Sequence, residues 1–231
     1  WLWLLINPLM LLGVYAVVFG VIFQARAPAT LDVPFIAWLA LAMWPWLAFS
    51  DSVLRASESI PQHGALISKI AIKRELLPLT GAVGAFILQI LGFVAVLVVV
   101  SLTGTEISYR GIPHALLILL ELLTLGCGLG LFAAAIRVYL PDWQHLLPTL
   151  IMLWFFLTPI LYAPEMLPEE IRSLIFVNPL AGLMGELRAA LLQGQWMPGL
   201  ATLAMAPVVL VIFGLGLAFF RRLSPYFEDF L

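Results

Sequence analysis

LPEEIRSLIFVNPLAGLMGELRAALLQG, Leu167 to Gly194, interrupts a chain of long apolar runs with five charges. Pro168 suits the first turn of a helix, and Glu169 and Glu170 follow where the helix dipole favours negative charge. Ile171, Leu174 and Ile175 then share one face. Asn178 is a good N-cap and Pro179 a good first residue for a second helix. Leu180, Leu183, Leu187 and Leu191 recur at helical spacing, with Arg188 near the end, and Gly194 stops the run. At about 1.5 Å per residue the two helices reach only about 13 and 20 Å. A bilayer core of about 30 Å is too thick for either to cross. Backbone at such depth survives only when buried in protein or lining a cavity. The pair is therefore expected to be re-entrant or interfacial, turning back at Asn178 with its Glu and Arg groups near water. Residues 164–194 then form external gate helices, with Pro168, Asn178, Pro179 and Arg188 as the gate residues. A static interfacial cap is the alternative.

The rest of the chain explains why short helices are the exception. Of 231 residues, 63% are hydrophobic and 10% charged, and the mean hydropathy is +1.09. A soluble domain is about 25% charged, so this composition requires an integral membrane protein. Six segments are long and apolar enough to span, taking about 20 residues each: 3–23, 35–54, 76–102, 112–138, 146–162 and 199–220. The expected fold is all-α, a single membrane domain over 1–231 with six transmembrane helices and the two short helices between spans five and six. Pro8, Pro45 and Pro148 fall in or near spans, where neighbouring helices can re-satisfy freed carbonyls. The chain opens at Trp1 inside an apolar run, so a preceding segment is expected.

Loop charges set the orientation. Arg55, Lys69, Lys73 and Arg74 follow span two, Arg137 follows span four, and Arg221 and Arg222 follow span six. Lys and Arg collect on the cytoplasmic side, which places both termini in the cytoplasm and the opening stretch outside. Tyr139, Trp143, Tyr162 and Trp196 fall near span ends, as an interfacial aromatic belt would.

Several chemistries are missing. No G-x-x-x-x-G-K-[ST] loop is present to cradle nucleotide phosphates. His63, His114 and His145 lie in separate loops, no metal-spaced cluster occurs, and Cys127 sits alone in an apolar run. No catalytic or metal residue is assigned. Glu121, Gln89 and Asp51 are the few polar groups in or near spans. A lone Glu121 is a functional candidate by position, but a proton relay would show a chain of such groups. A channel would show a charge ring or carbonyl filter.

Four stretches together resemble polysaccharide ABC exporter permeases, the membrane subunits that export O-antigen, capsule or teichoic-acid chains. They are MWPWLAFSDSVLRASESI (Met43–Ile60) with LISKIAIKRELLPLTG (Leu66–Gly81), VYLPDWQHLLP (Val138–Pro148), FFLTPILYAPEMLPEEIRSLIFVNPLAGLMGELR (Phe155–Arg188), and the tail FFRRLSPYFEDFL. Where the family usually has an Arg-Asp pair, this chain has Pro141 and Asp142. The resemblance implies a cytoplasmic amphipathic helix ahead of span one and a homodimer in the inner (plasma) membrane, with the permeation path between protomers. It also implies two copies of a separate ABC ATPase subunit. ATP and Mg would be bound by that partner, and this chain would need no cofactor. The substrate would be a lipid-linked polysaccharide, with membrane lipids around the protein and no role for nucleic acid. Rival readings are a drug or small-lipid exporter of the same superfamily, and a membrane-embedded enzyme acting on lipid-linked glycans.

An export path must hold sugars weakly and let them slide, which aromatic faces suit. Tyr15, Phe19 and Phe23 repeat every four residues along span one, and Trp154, Phe155, Phe156 and Tyr162 mark span five. These are the expected path residues; ordinary packing is the competing reading. The cytoplasmic coupling loop is expected over 56–75. Ile60, Ile67, Ile70 and Ile72 form its apolar side, and Lys69, Lys73 and Arg74 its polar side, fit for a groove on a partner. Asp142 is the expected second ATPase contact.

Overall fold

The structure is a computed structural model that describes residues 3–23, 27, 33–64, 73–170, 175 and 178–230. Among these there is no strand. The α-helices fully within the described residues are α1 (Trp3–Tyr15), α2 (Phe35–Gln62), α3 (Leu76–Leu102), α4 (Ile112–Tyr139), α5 (Trp143–Leu157), α6 (Pro179–Gln193) and α7 (Leu200–Leu223). A π-helical stretch, Ala16–Ile22, continues α1, and 3-10 turns cover Tyr109–Gly111, Pro164–Met166 and Ser224–Asp229.

The helices α2, α3, α4 with its preceding turn, and α7 are long and apolar enough to cross a membrane. Pro8–Ile22 and α5 are apolar but shorter. The chain is thus an all-helical, multi-pass membrane protein. Span five differs from expectation. It starts at Trp143 and ends at Leu157, with Thr158–Tyr162 non-helical. Pro159 supplies no N–H and disfavours helical geometry at Thr158. Span two runs to Gln62, so residues 56–62 of the expected coupling loop are helix instead. Within that helix the Ser59 hydroxyl is satisfied by the Ala56 carbonyl at 2.7 Å.

Two compact units emerge from the contacts. The first comprises residues 1–46, 88–119 and 154–203; the second comprises 47–87, 120–153 and 204–231. In the second, Ile60, Leu131, Ala134, Ala135, Val138, Phe220 and Phe227 form one buried cluster. Ile60 therefore belongs to a core, not to the partner-facing side of a loop. Ala56, Ala82 and Cys127 form another cluster. Gly126 and Gly130 of α4 face Ser52 and Ala56 of α2, and Gly128 lies against Phe213 and Gly216 of α7. A Cβ on Gly130 would lie 2.6 Å from Ala56 Cβ, and one on Gly128 would lie 2.8 Å from Phe213 Cα. Backbones this close gain dispersion contacts that lipid cannot match. The buried hydroxyl of Ser52 satisfies itself on the Phe49 carbonyl at 2.6 Å.

The first unit holds α6, whose face of Leu180, Leu183, Met184, Leu187 and Leu191 is buried. Gly194 ends α6 in the left-handed region, φ 72°, where its N–H reaches the Ala189 and Ala190 carbonyls. Such a cap suits glycine, which has no Cβ to clash.

Candidate substrate path and its fastenings

The spacing of Tyr15, Phe19 and Phe23 builds a ladder along the end of α1 and its π-helical continuation. Tyr15 and Phe19 ring centroids are 5.9 Å apart, as are those of Phe19 and Phe23. The ladder branches through Phe35, 5.8 Å from Phe19, to Trp38, 5.6 Å further. Phe19, Phe23 and Phe35 face Leu161, Tyr162, Ala163 and Met166 across a groove of about 340 Å³. The Tyr162 hydroxyl is turned away to donate to the Phe156 carbonyl at 3.0 Å. What faces the groove is chiefly ring and aliphatic carbon. Such a surface grips by area and leaves a polar ligand free to slide.

The other predicted aromatics gather elsewhere. Trp154 and Phe155 pack on Trp46, at 6.1 and 5.8 Å, and Phe156 leans on Phe155 at 5.4 Å while remaining exposed. The seven predicted path residues thus form two groups, with Phe35, Trp38 and Trp46 joining them. A Phe–Trp pair three residues apart at the start of α2 was the available signal.

The gate residues are placed as follows. Pro168 is exposed and precedes helical residues Glu169 and Glu170; residues 171–174, 176 and 177 lie outside the described residues, and Ile175 is helical and buried. Asn178 caps α6, its Oδ1 accepting from Leu180 N at 3.1 Å and from Trp154 Nε1 at 3.0 Å. Its Nδ2 donates to the Leu157 carbonyl at 3.0 Å and to Thr158 Oγ1 at 2.9 Å. One side chain therefore satisfies the open end of α5 and the start of α6 together. Pro179 occupies the first helical position, as its missing N–H permits.

Arg188 and Glu186 depart from expectation, because neither stays near water as a free surface group. Arg188 is buried. Its Nε donates to the Trp38 carbonyl, Nη1 to Pro159 and Nη2 to Ile160, each at 3.0 Å. Its guanidinium carbon lies 3.4 Å from the centre of the Trp38 ring, a cation–π contact. Glu186 accepts from the N–H groups of Gly199, Ala201 and Thr202 and from the Thr202 hydroxyl. It thereby caps α7 from another helix. His114 Nε2 lies 3.3 Å from Glu186 Oε2 and 3.0 Å from Thr202 Oγ1. Burial alone would raise the Glu186 carboxyl, but these hydrogen bonds and His114 outweigh it and hold it below its ordinary value. Both side chains sit on a helix too short, at about 22 Å, to cross a bilayer.

In the second unit, Ile67, Lys69 and Ile70 of the expected coupling loop lie outside the described residues. Lys73 is exposed. Arg74 donates to the Ser224 carbonyl, and Glu75 pairs with Arg221 at 2.9 Å. The loop's exit is thus tied to the end of α7. Asp142 is exposed ahead of α5, where its carbonyl accepts from His145 and Leu146. Glu121 is buried on α4. No group of three His, Cys, Asp or Glu able to hold a metal occurs among the described residues.

Three relatives match along almost the whole chain. The O-antigen export system permease protein RfbA of Myxococcus xanthus is 28% identical over 99% of this chain and 86% of its own length. A protein of the same name from Klebsiella pneumoniae is 26% identical over 100% of this chain and 87% of its own. The polysialic acid transport protein KpsM of Escherichia coli is 25% identical over 96% and 84%. The profile of the ABC-2 type transporter family matches residues 1–192; the chain belongs to that family of transporter membrane subunits.

Proposed function

We propose that this chain is the permease subunit of an ABC exporter that moves a lipid-linked polysaccharide from the cytoplasmic to the outer side of the inner (plasma) membrane. The relatives' names, for O-antigen and polysialic acid, point to that substrate class. The observation that carries the reading is the groove of Phe19, Phe23, Phe35 and Tyr162, whose carbon-rich surface suits sugar rings in transit. A membrane subunit without a phosphate-cradling loop must draw its energy from elsewhere, and a separate ABC ATPase would bind ATP and Mg. Two copies of it would serve a homodimer of this chain.

In this reading six crossings include Pro8–Ile22 and α5, and the Lys and Arg distribution puts both termini in the cytoplasm. Lys73 and Asp142, exposed on separate loops, would meet the ATPase with the loop before Lys73. The exit of that loop is held by Arg74 and Glu75, which suits transmission of a push into α3 and α7. Residues 164–194 would stand at the outer mouth as its gate.

The test is loss of the chain in cells that make the polymer. Lipid-linked polymer should accumulate on the cytoplasmic side, and export should return only with this chain and its ATPase together. Normal polymer export with failed efflux of a drug or small lipid would instead select the rival exporter reading.

A further inference from the structure

The aromatic groove has two walls. On one, Phe23 leans on Phe19, Phe19 on Phe35 and Phe35 on Trp38. The other is the segment Leu161–Ala163 with Met166, which directly follows Pro159 and Ile160. Arg188 holds both. It takes the first wall by the Trp38 carbonyl and ring, and the second by the Pro159 and Ile160 carbonyls. We infer that Arg188 is a positioning residue that sets the width of the groove, and so the cross-section of the sugar chain it admits.

The chemistry requires this side chain. Pro159 and Ile160 lie beyond the end of α5 at Leu157, so their carbonyls have no helical partner and need a donor. Burial opposes the Arg188 charge, and Glu165 on the following turn offsets part of that cost. Arginine alone presents five N–H groups in a flat fork, able to bond three separate carbonyls while its face stacks on an indole. Lysine has its three donors on one nitrogen and cannot span the same set. Asn178 already fastens the Leu157–Thr158 end of α5. Arg188 is the fastening that continues from there across to α2.

The inference rests on the groove being part of the export path, and its test is independent of export. Cysteines replace Phe23 and Met166, on opposite walls, in a Cys127→Ala background. Paired thiol reagents of graded length are then applied to the full chain in membranes. With Arg188 intact, one short reagent should bridge the pair best. Arg188→Met and Arg188→Lys should both move the optimum to longer reagents or flatten it. Leu191→Ala, a core loss on the same helix, should leave it in place. An unchanged profile in Arg188→Lys overturns the inference, as does an equal shift in Leu191→Ala. Should Arg188→Met not accumulate, the lysine variant carries the comparison. Unimpaired export by Phe19→Ala would sink the path reading while leaving the width measurement intact.

Discussion

In residues 47–87, 120–153 and 204–231, helices meet through Gly126, Gly128, Gly130, Gly216 and small serines. In residues 1–46, 88–119 and 154–203, close glycine contacts also occur, Gly111 on Ala190 and Gly182 on Ala201, but Arg188, Glu186, Asn178 and His114 add buried polar links between elements. Both answer the same difficulty: lipid tails are as apolar as leucine, so burying leucine barely drives helices together. Close backbone contact solves it by shape, spread over many atoms. Buried polar clasps solve it by a few directed bonds, each of which fixes particular turns. The first suits a scaffold; the second suits a region where loop segments such as Thr158–Ala163 must be held at defined positions.

The contrast predicts different kinds of damage. Gly128→Leu should be the most severe, since the added side chain meets Phe213 backbone with no room to yield. An overpacking cost of about 3 kcal/mol or more is expected, read as loss of folded protein in detergent. Survival of Gly128→Leu with normal thermal stability would show that α4 and α7 are not held by shape.

Arg188→Met should follow. The Pro159 and Ile160 carbonyls lose their donor, while the Trp38 carbonyl stays within the α2 hydrogen-bond ladder; a group left unsatisfied costs about 1–3 kcal/mol, partly offset by no longer burying a charge. A net loss of about 2–4 kcal/mol is expected in chemical denaturation. Glu186→Ala removes a cap supplied in trans and should cost about 1–2 kcal/mol. Hydrogen exchange should then rise at Gly199, Ala201 and Thr202 and stay unchanged around Gly128. Exchange rising equally in both places would erase the distinction between the two regions.

The smallest effect belongs to Glu75 and Arg221. The backbone hydrogen bond at Glu75 comes first, and with Arg221 and Lys73 it outweighs burial and holds the carboxyl below its ordinary value. A carboxyl depressed in the folded state adds stability above its unfolded value and loses it as pH falls through the folded one. Glu75→Gln should thus lower stability by less than about 1 kcal/mol at pH 7. The difference should shrink as pH falls from the ordinary carboxylate value through the depressed one. A gap between the variant and the parent that stays constant across that fall would contradict this.

Much of α6 was legible: Asn178–Pro179 at its start, the leucine spacing and Gly194 at its end are local signals with local causes. The role of Arg188 was not, because its partners are backbone carbonyls 28 to 150 residues away. Its position was still informative, since it lies four residues after Met184 and three before Leu191, on the apolar face. The pair Gly126 and Gly130 was readable too, as small residues four apart in an apolar run. Ile60 misled because charge nearby suggested a loop, whereas the apolar spacing of α2 carried the helix through it.

Export measured beside ATP hydrolysis, in one membrane preparation of the chain with its ATPase, tests the central claim most directly. Phe19→Ala and Tyr162→Ala strip aromatic carbon from the groove but alter neither the Arg188 hydrogen bonds nor the Lys73 and Asp142 loops. The account predicts that polymer export falls sharply while ATP hydrolysis and protein abundance hold. Export at the parental rate in both variants, or a fall in abundance that matches the fall in export, would contradict it.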